Sequence, residues 1–169
     1  GKTISTLFPS VKAMGEEMCE KVFYLTAKTI TRTVAGDTLE IMRDAGLKLK
    51  SVVLTAKDKI CFMEDTQCNP DYCPYAKGHY DRINDAIYDL LTHVDNFTRE
   101  TIEDYAGKHR VCPFEMCLDM SLFSDAVICD YNYLFDPHVY LKRFFSEGIR
   151  KEYIFLIDEA HNLVDRGRD

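Results

Sequence analysis

The chain has 169 residues, 46% of them hydrophobic and 29% charged, with seven cysteines and a formal net charge of −7. That length and mixture describe one ordinary globular domain, or one domain carrying a compact insertion. They exclude a generally basic nucleic-acid coat, although a local track of Lys and Arg remains compatible with the total. No apolar run approaches a membrane span and no signal peptide is visible, so a cytoplasmic (or nucleoid or nuclear) location with no membrane partner is expected. The odd cysteine count argues against a disulfide framework and towards metal-bound thiols. Asn96-Phe97-Thr98 is then a chance match to a glycosylation sequon.

In chain order, the spacing of Leu7, Val11, Met14 and Met18 predicts a helix from Lys2 to about Cys19, with an irregular early turn at Pro9. Val22 to Leu25 is a short buried strand that delivers the polar loop Thr26-Ala27-Lys28-Thr29. Ile30 to Ala45 is helical in period, and Gly46 is its stop. Ser51 to Leu54 is a second strand. This alternation implies a parallel sheet covered by helices.

From about Lys57 to Met120 the alternation is lost, and no strand is expected. One amphipathic helix there carries Tyr80, Ile83, Ile87, Leu90 or Leu91 and Val94 on one face. A second is capped by Thr98, has Glu100 and Glu103 in its first turns and stops near Gly107. Ala126 to Cys129 restores strand character, Asp136-Pro137 begins a helix, and Tyr153 to Ile157 is a last buried strand. The expected organisation is an α/β domain in two parts, 1–56 and 121–169, interrupted by a cysteine-rich helical domain at 57–120.

Gly1-Lys2-Thr3 has the chemistry of the end of a phosphate-binding loop. Glycine lets backbone N–H groups approach phosphates, Lys reaches the β and γ oxygens, and the Thr hydroxyl binds magnesium. Three residues alone are weak evidence. Asp158-Glu159-Ala160-His161 directly after five apolar residues is stronger, because carboxylates at the ends of buried parallel strands emerge towards a bound nucleotide. Asp158 is expected on the magnesium ion with Thr3, Glu159 on the attacking water, and His161 as the relay of nucleotide state.

With those halves on record, the chain resembles superfamily 2 helicases of the XPD and DinG type. The resemblance rests on GKT (1–3), FYLTAKT (23–29), TAKDKIC (55–61), VCPF (111–114), DYNYLFDP (130–137) and DEAHN (158–162). It implies a RecA-like first motor domain with an iron–sulfur domain inserted between motor strands. Cys61, Cys68, Cys73 and Cys112 run C-x6-C-x4-C-x38-C. Thiolates in themselves suit zinc or a [4Fe–4S] cluster about equally, but the tight C-x2-C zinc knuckle is missing. The resemblance, with Cys-Pro-aromatic at 112–114, favours the cluster. Cys117 is the rival ligand; Cys19 and Cys129 read as buried core thiols.

The resemblance also implies DNA contacts. Thr26, Lys28 and Thr29 fit a strand-backbone grip, Lys57 and Lys59 would face the separating duplex, and Phe114 would stack at a base step if it is not simply packed. Relatives carry a basic residue six positions after the last ligand, where this chain has Leu118, and the insertion is acidic overall. The expected protein is an ATP-dependent DNA helicase acting on single-stranded and forked DNA, with ATP as substrate and Mg2+ and a [4Fe–4S] cluster as cofactors. The alternative is a metal-stabilised DNA-binding ATPase that remodels without unwinding. Residues 1–169 alone are expected to be silent in ATP hydrolysis, because a second motor domain and its arginine must complete the site.

Overall fold

Val22-Phe23-Tyr24-Leu25 has no charged side chain to leave in water, and it folds as a strand with all four side chains buried. In a computed structural model, which describes residues 21–26, 29–46, 48–130 and 153–157, β1 (Lys21–Leu25) lies between β4 (Ala126–Cys129) and β5 (Tyr153–Ile157). Both pairings are parallel. Val22 to Leu25 face Ala126 to Cys129 on one side, and Lys21 to Leu25 face Tyr153 to Ile157 on the other. Parallel strands buried on both faces read as continuous apolar runs, as the buried side chains of β1 and β4 do here.

Helix α1 (Thr29–Asp44) buries Ala35, Leu39 and Met42, at the helical spacing that the sequence predicts. Its end is fixed by two devices. Gly46 takes φ +108°, and its N–H bonds to the Arg43 carbonyl at 2.9 Å. The Arg43 guanidinium reaches the Leu49 carbonyl at 2.8 Å and the Ser51 hydroxyl, which ties the helix end to the start of β2 (Ser51–Val53). The expected helices over Lys2–Cys19 and from Asp136 lie outside the described residues.

The chain divides into two compact units, 1–51 with 125–169, and 52–124. The first unit closes where the excursion begins and ends. Asp125 and Ala126 N–H both bond to the Lys50 carbonyl, at 2.8 and 3.1 Å, and the Lys50 N–H bonds to the Asp125 carboxylate at 2.9 Å.

Unit 52–124 is mainly helical: α2 (Lys57–Ile60), α3 (His79–His93), α4 (Arg99–His109) and α5 (Pro113–Leu122), with the two-residue strand β3 (Asn96–Phe97). Helix α5 is its centre. Phe114, Met116, Cys117, Leu118 and Met120 are all buried, with Glu115 and Asp119 its two charged residues. Around it sit Ile83, Ala86 and Leu90 of α3, and Ile102 and Ala106 of α4. Cys112 stands at the N-cap of α5 and Pro113 at its first turn, where the missing N–H of proline costs nothing.

Four expectations are corrected here. The apolar face of α3 is set by Ile83, Ala86 and Leu90, while Tyr80 is 87% exposed, because Tyr tolerates water and Ala86 fills the close approach. Helix α4 runs past Gly107 to His109 and ends on Arg110 in the left-handed conformation, φ 56°; its start at Thr98 is as expected, with the Thr98 hydroxyl accepting from Thr101 N–H at 3.2 Å. The window 57–120 does contain a strand, β3, too short to leave an alternating pattern. The short α2 over Lys57–Ile60 was not expected either.

Candidate functional site

Between α2 and α3 the chain from Cys61 to Gly78 forms neither helix nor strand. Pro70 and Pro74 remove amide donors, and the segment turns on local bonds, such as Cys73 N–H to the Asn69 carbonyl at 2.8 Å and Asp71 N–H to the Asn69 side chain at 2.9 Å. Cys61, Cys68 and Cys73 therefore sit on irregular backbone, with Cys68 exposed and Cys73 buried, and Cys112 caps α5. All the described cysteines are free thiols. Among the described residues no group of three or more His, Cys, Asp or Glu is gathered so as to hold a metal ion. In kind the donors fit a cluster: four unpaired soft thiols on loop and cap positions.

Lys57 links two of them. Its ammonium is held above the ordinary lysine range, first by a hydrogen bond to Cys68 and, against the opposing effect of burial, by the charges of Cys68, Cys112 and Glu115. The same ammonium lies 5.6 Å from the centre of the Phe114 ring. Phe114 is 7% exposed, so its face is covered and it is withdrawn from the DNA-stacking candidates. Lys59 is exposed. The Cys112 thiol is pushed up chiefly by burial, while the backbone N–H groups of Glu115 and Phe114 act the other way.

The rival, Cys117, sits in different chemistry. It is 1% exposed, its Sγ lies 3.7 Å from the Val53 carbonyl as a weak donor, and burial drives its thiol up to about 12. Burial raises the Cys112 thiol too, so what sets Cys117 apart is its near-complete enclosure and its bond to the Val53 carbonyl. Cys129 is likewise buried, with its thiol pushed up by burial; Cys19 lies outside the described residues.

Three residues that the sequence did not single out tie the cysteine-bearing segments to the helices. Arg82, in the first turn of α3, donates to the Arg110 carbonyl through Nε at 3.1 Å and Nη2 at 2.7 Å, and through Nη2 to the Lys77 carbonyl at 2.6 Å and the Pro74 carbonyl at 3.5 Å. His79, 5% exposed, accepts from the Cys112 N–H through Nδ1 at 3.1 Å. Arg99 donates to the Lys59 carbonyl at 2.5 Å and pairs with Glu103 at 2.8 Å. The available signal was Arg82 itself, a cation in the first turn of a helix, where the backbone dipole disfavours it.

In the other unit, Thr26 follows β1; its N–H bonds to the Cys129 carbonyl at 3.0 Å and it is 1% exposed. Thr29 begins α1. Arg32 pairs with Asp130 at 3.3 Å, just beyond β4. The remaining predicted site residues, Gly1, Lys2, Thr3, Lys28, Asp158, Glu159 and His161, lie outside the described residues; β5 ends at Ile157, next in sequence to Asp158.

The sequence profile of the DEAD_2 family matches residues 36–169. The chain belongs to the DEAD_2 family. Among characterised relatives, this DEAD_2 chain is 26% identical to the Fanconi anemia group J protein homolog of Gallus gallus, over 94% of this chain and 14% of that protein. It is 33% identical to the general transcription and DNA repair factor IIH helicase subunit XPD of Dictyostelium discoideum, over 40% of this chain and 8% of that one. The XPD/RAD3 subunit of Saccharomyces cerevisiae is 29% identical over 59% and 12%. The chain thus spans about a seventh or less of the length of these relatives. A solved XPD helicase superposes with a TM-score of 0.61 at 20% identity, covering 96% of this chain and 28% of that one. That likeness fixes the fold: an α/β architecture built on a parallel sheet, as in the XPD helicase.

Proposed function

We propose that this DEAD_2 chain is part of an ATP-dependent DNA helicase whose unit 52–124 is an iron–sulfur domain assisting strand separation. The observation that carries the reading is a cysteine-bearing helical unit that interrupts an α/β unit with a parallel sheet in a chain of this family. Cys61, Cys68, Cys73 and Cys112 would hold a [4Fe–4S] cluster. When bound, such a cluster joins four thiolates into one rigid centre and adds local charge. Lys57, already beside Cys68 and Cys112, offsets thiolate charge there.

In the motor unit, Gly1, Lys2 and Thr3 bind the phosphates, Thr3 and Asp158 hold Mg2+, Glu159 orients the attacking water and His161 couples nucleotide state to movement. Lys28, Thr29 and exposed Lys59 supply the contacts to the DNA backbone, Lys57 being engaged at the thiols, and buried Thr26 anchors the grip rather than touching phosphate.

Protein purified without oxygen is expected to be brown, with a broad absorption band that bleaches on reduction. Stoichiometric zinc in its place would refute the cluster. In the full-length protein, Glu159→Gln is expected to bind ATP and lose turnover by roughly a hundredfold or more. DNA-stimulated hydrolysis that survives this substitution would remove Glu159 from its role. Strand displacement on forked DNA separates unwinding from remodelling.

A further inference from the structure

A thiol is set for a shared centre only if its backbone is held, and Cys73 and Cys112 lie in segments with little secondary structure to hold them. Beyond their local turn and cap bonds, what joins the two segments is one guanidinium. Arg82 bonds to the carbonyl of Pro74, directly after Cys73, to that of Lys77 in the same segment, and to that of Arg110, two residues before Cys112. A planar fork can satisfy several carbonyls with fixed geometry, which an ammonium cannot. Space is reserved for it: a Cβ on Gly78 would lie 2.3 Å from the Arg82 Nη1, and Gly78 takes φ +74°. One turn of helix away, His79 Nδ1 accepts from the N–H of Cys112 itself at 3.1 Å, so the first turn of α3 grips this segment at two points. Arg110 is the left-handed C-cap of α4, a bend that would otherwise leave its carbonyl to water.

We propose that Arg82 is a positioning residue that clamps the Cys73 and Cys112 segments together and so sets these two thiols for the metal centre. The role rests on the iron–sulfur reading above. Arg82 touches no thiol; it acts through backbone. Lys108 provides the control, because it joins the same two helices, bonding to Asp89 of α3 at 2.7 Å, without touching a cysteine-bearing segment.

The experiment compares wild type, Arg82→Met, Arg82→Lys and Lys108→Met in the full-length protein, purified anaerobically. It reads iron and sulfide per chain, the rate of iron loss to a chelator, and the electron paramagnetic resonance of the reduced centre. Removing an outer support of a metal site costs about 10- to 100-fold in retention. Arg82→Met is expected to release iron faster by that factor with its helical circular dichroism intact, Arg82→Lys to recover part of the loss, and Lys108→Met to match wild type. Amide hydrogen exchange on iron-free protein reads the clamp without the metal. Arg82→Met should speed exchange at Lys77, Val111 and Cys112 about tenfold or more. Wild-type iron release together with unchanged exchange in Arg82→Met would overturn the proposal, as would equal loss in Lys108→Met. A wild type without iron would instead defeat the iron–sulfur reading, and exchange alone would then show whether Arg82 holds the two segments.

Discussion

Thiol alkylation at pH 8 should divide the cysteines into two chemical classes. The thiolate is the reactive form. An ordinary thiol of pKa about 8.5 is roughly a quarter ionised at that pH, whereas Cys117, pushed up to about 12 by burial, is ionised to only about one part in ten thousand. Ionisation alone therefore slows Cys117 by about three orders of magnitude, and 1% exposure slows it further. Cys129, buried and shifted in the same direction, should behave alike. Iodoacetamide with peptide mass spectrometry checks this on holo protein and again after oxidative removal of iron. In holo protein Cys61, Cys68, Cys73 and Cys112 should all be protected. Once iron is removed they should label, exposed Cys68 fastest, while Cys117 and Cys129 stay unmodified until denaturant is added. Labelling of Cys117 at the pace of Cys68 in folded protein would refute the reasoning about its pocket. Protection of Cys117 lost together with iron would make it a ligand.

Leu90→Ala removes a side chain with no exposed surface from α3 and should destabilise unit 52–124 by about 2–5 kcal/mol, read from denaturant unfolding. Thr98→Ala deletes the bond that caps α4 and should cost about 1 kcal/mol in the same assay. Asp89 accepts from Lys108 and His109, each at 2.7 Å, and these bonds lower its pKa to about 2. Because the folded value is depressed, this tie holds fully above the unfolded carboxylate range, near pH 4, and is lost as pH falls towards 2. Asp89→Asn should flatten that acid limb of the stability curve, and an unchanged limb would remove Asp89 from it.

The strands and helices that sequence periodicity revealed were those whose apolar residues are unbroken or regularly spaced. Tyr153 to Ile157 and Ala126 to Cys129 are strands at the expected residues, because an unbroken apolar run bounded by charge has few other ways to fold. The misplaced features depend on partners far along the chain. Nothing local says that Ala86, rather than Tyr80, meets the neighbouring helix, or that α4 runs two residues past Gly107 to a left-handed Arg110. Thr98 was legible because a cap bonds to its own helix. Arg82 was legible only as a cation in an unfavourable first turn, because its partners are backbone carbonyls up to 28 residues away and carbonyls carry no sequence signal. Phe114 shows the same limit: an aromatic beside a cysteine looks alike in sequence whether it is packed or presented.

The Lys50–Asp125 bonds also bear on how the chain is made. During synthesis β1 appears first, and the strand that pairs with it from Ala126 emerges about a hundred residues later. At roughly 5–20 residues per second that is a wait of about 5–20 s with an apolar strand unpaired. Closing so long a flexible loop is entropically costly. If the intervening stretch folds first, its ends arrive already side by side, as residues 50 and 125 do, and the ribosome delivers β4 to β1 across a short gap instead of a long coil. Metal loading, where it hastens that intermediate fold, would then govern how much of the newly made parallel sheet escapes aggregation, a yield effect separable from any chemistry at the centre.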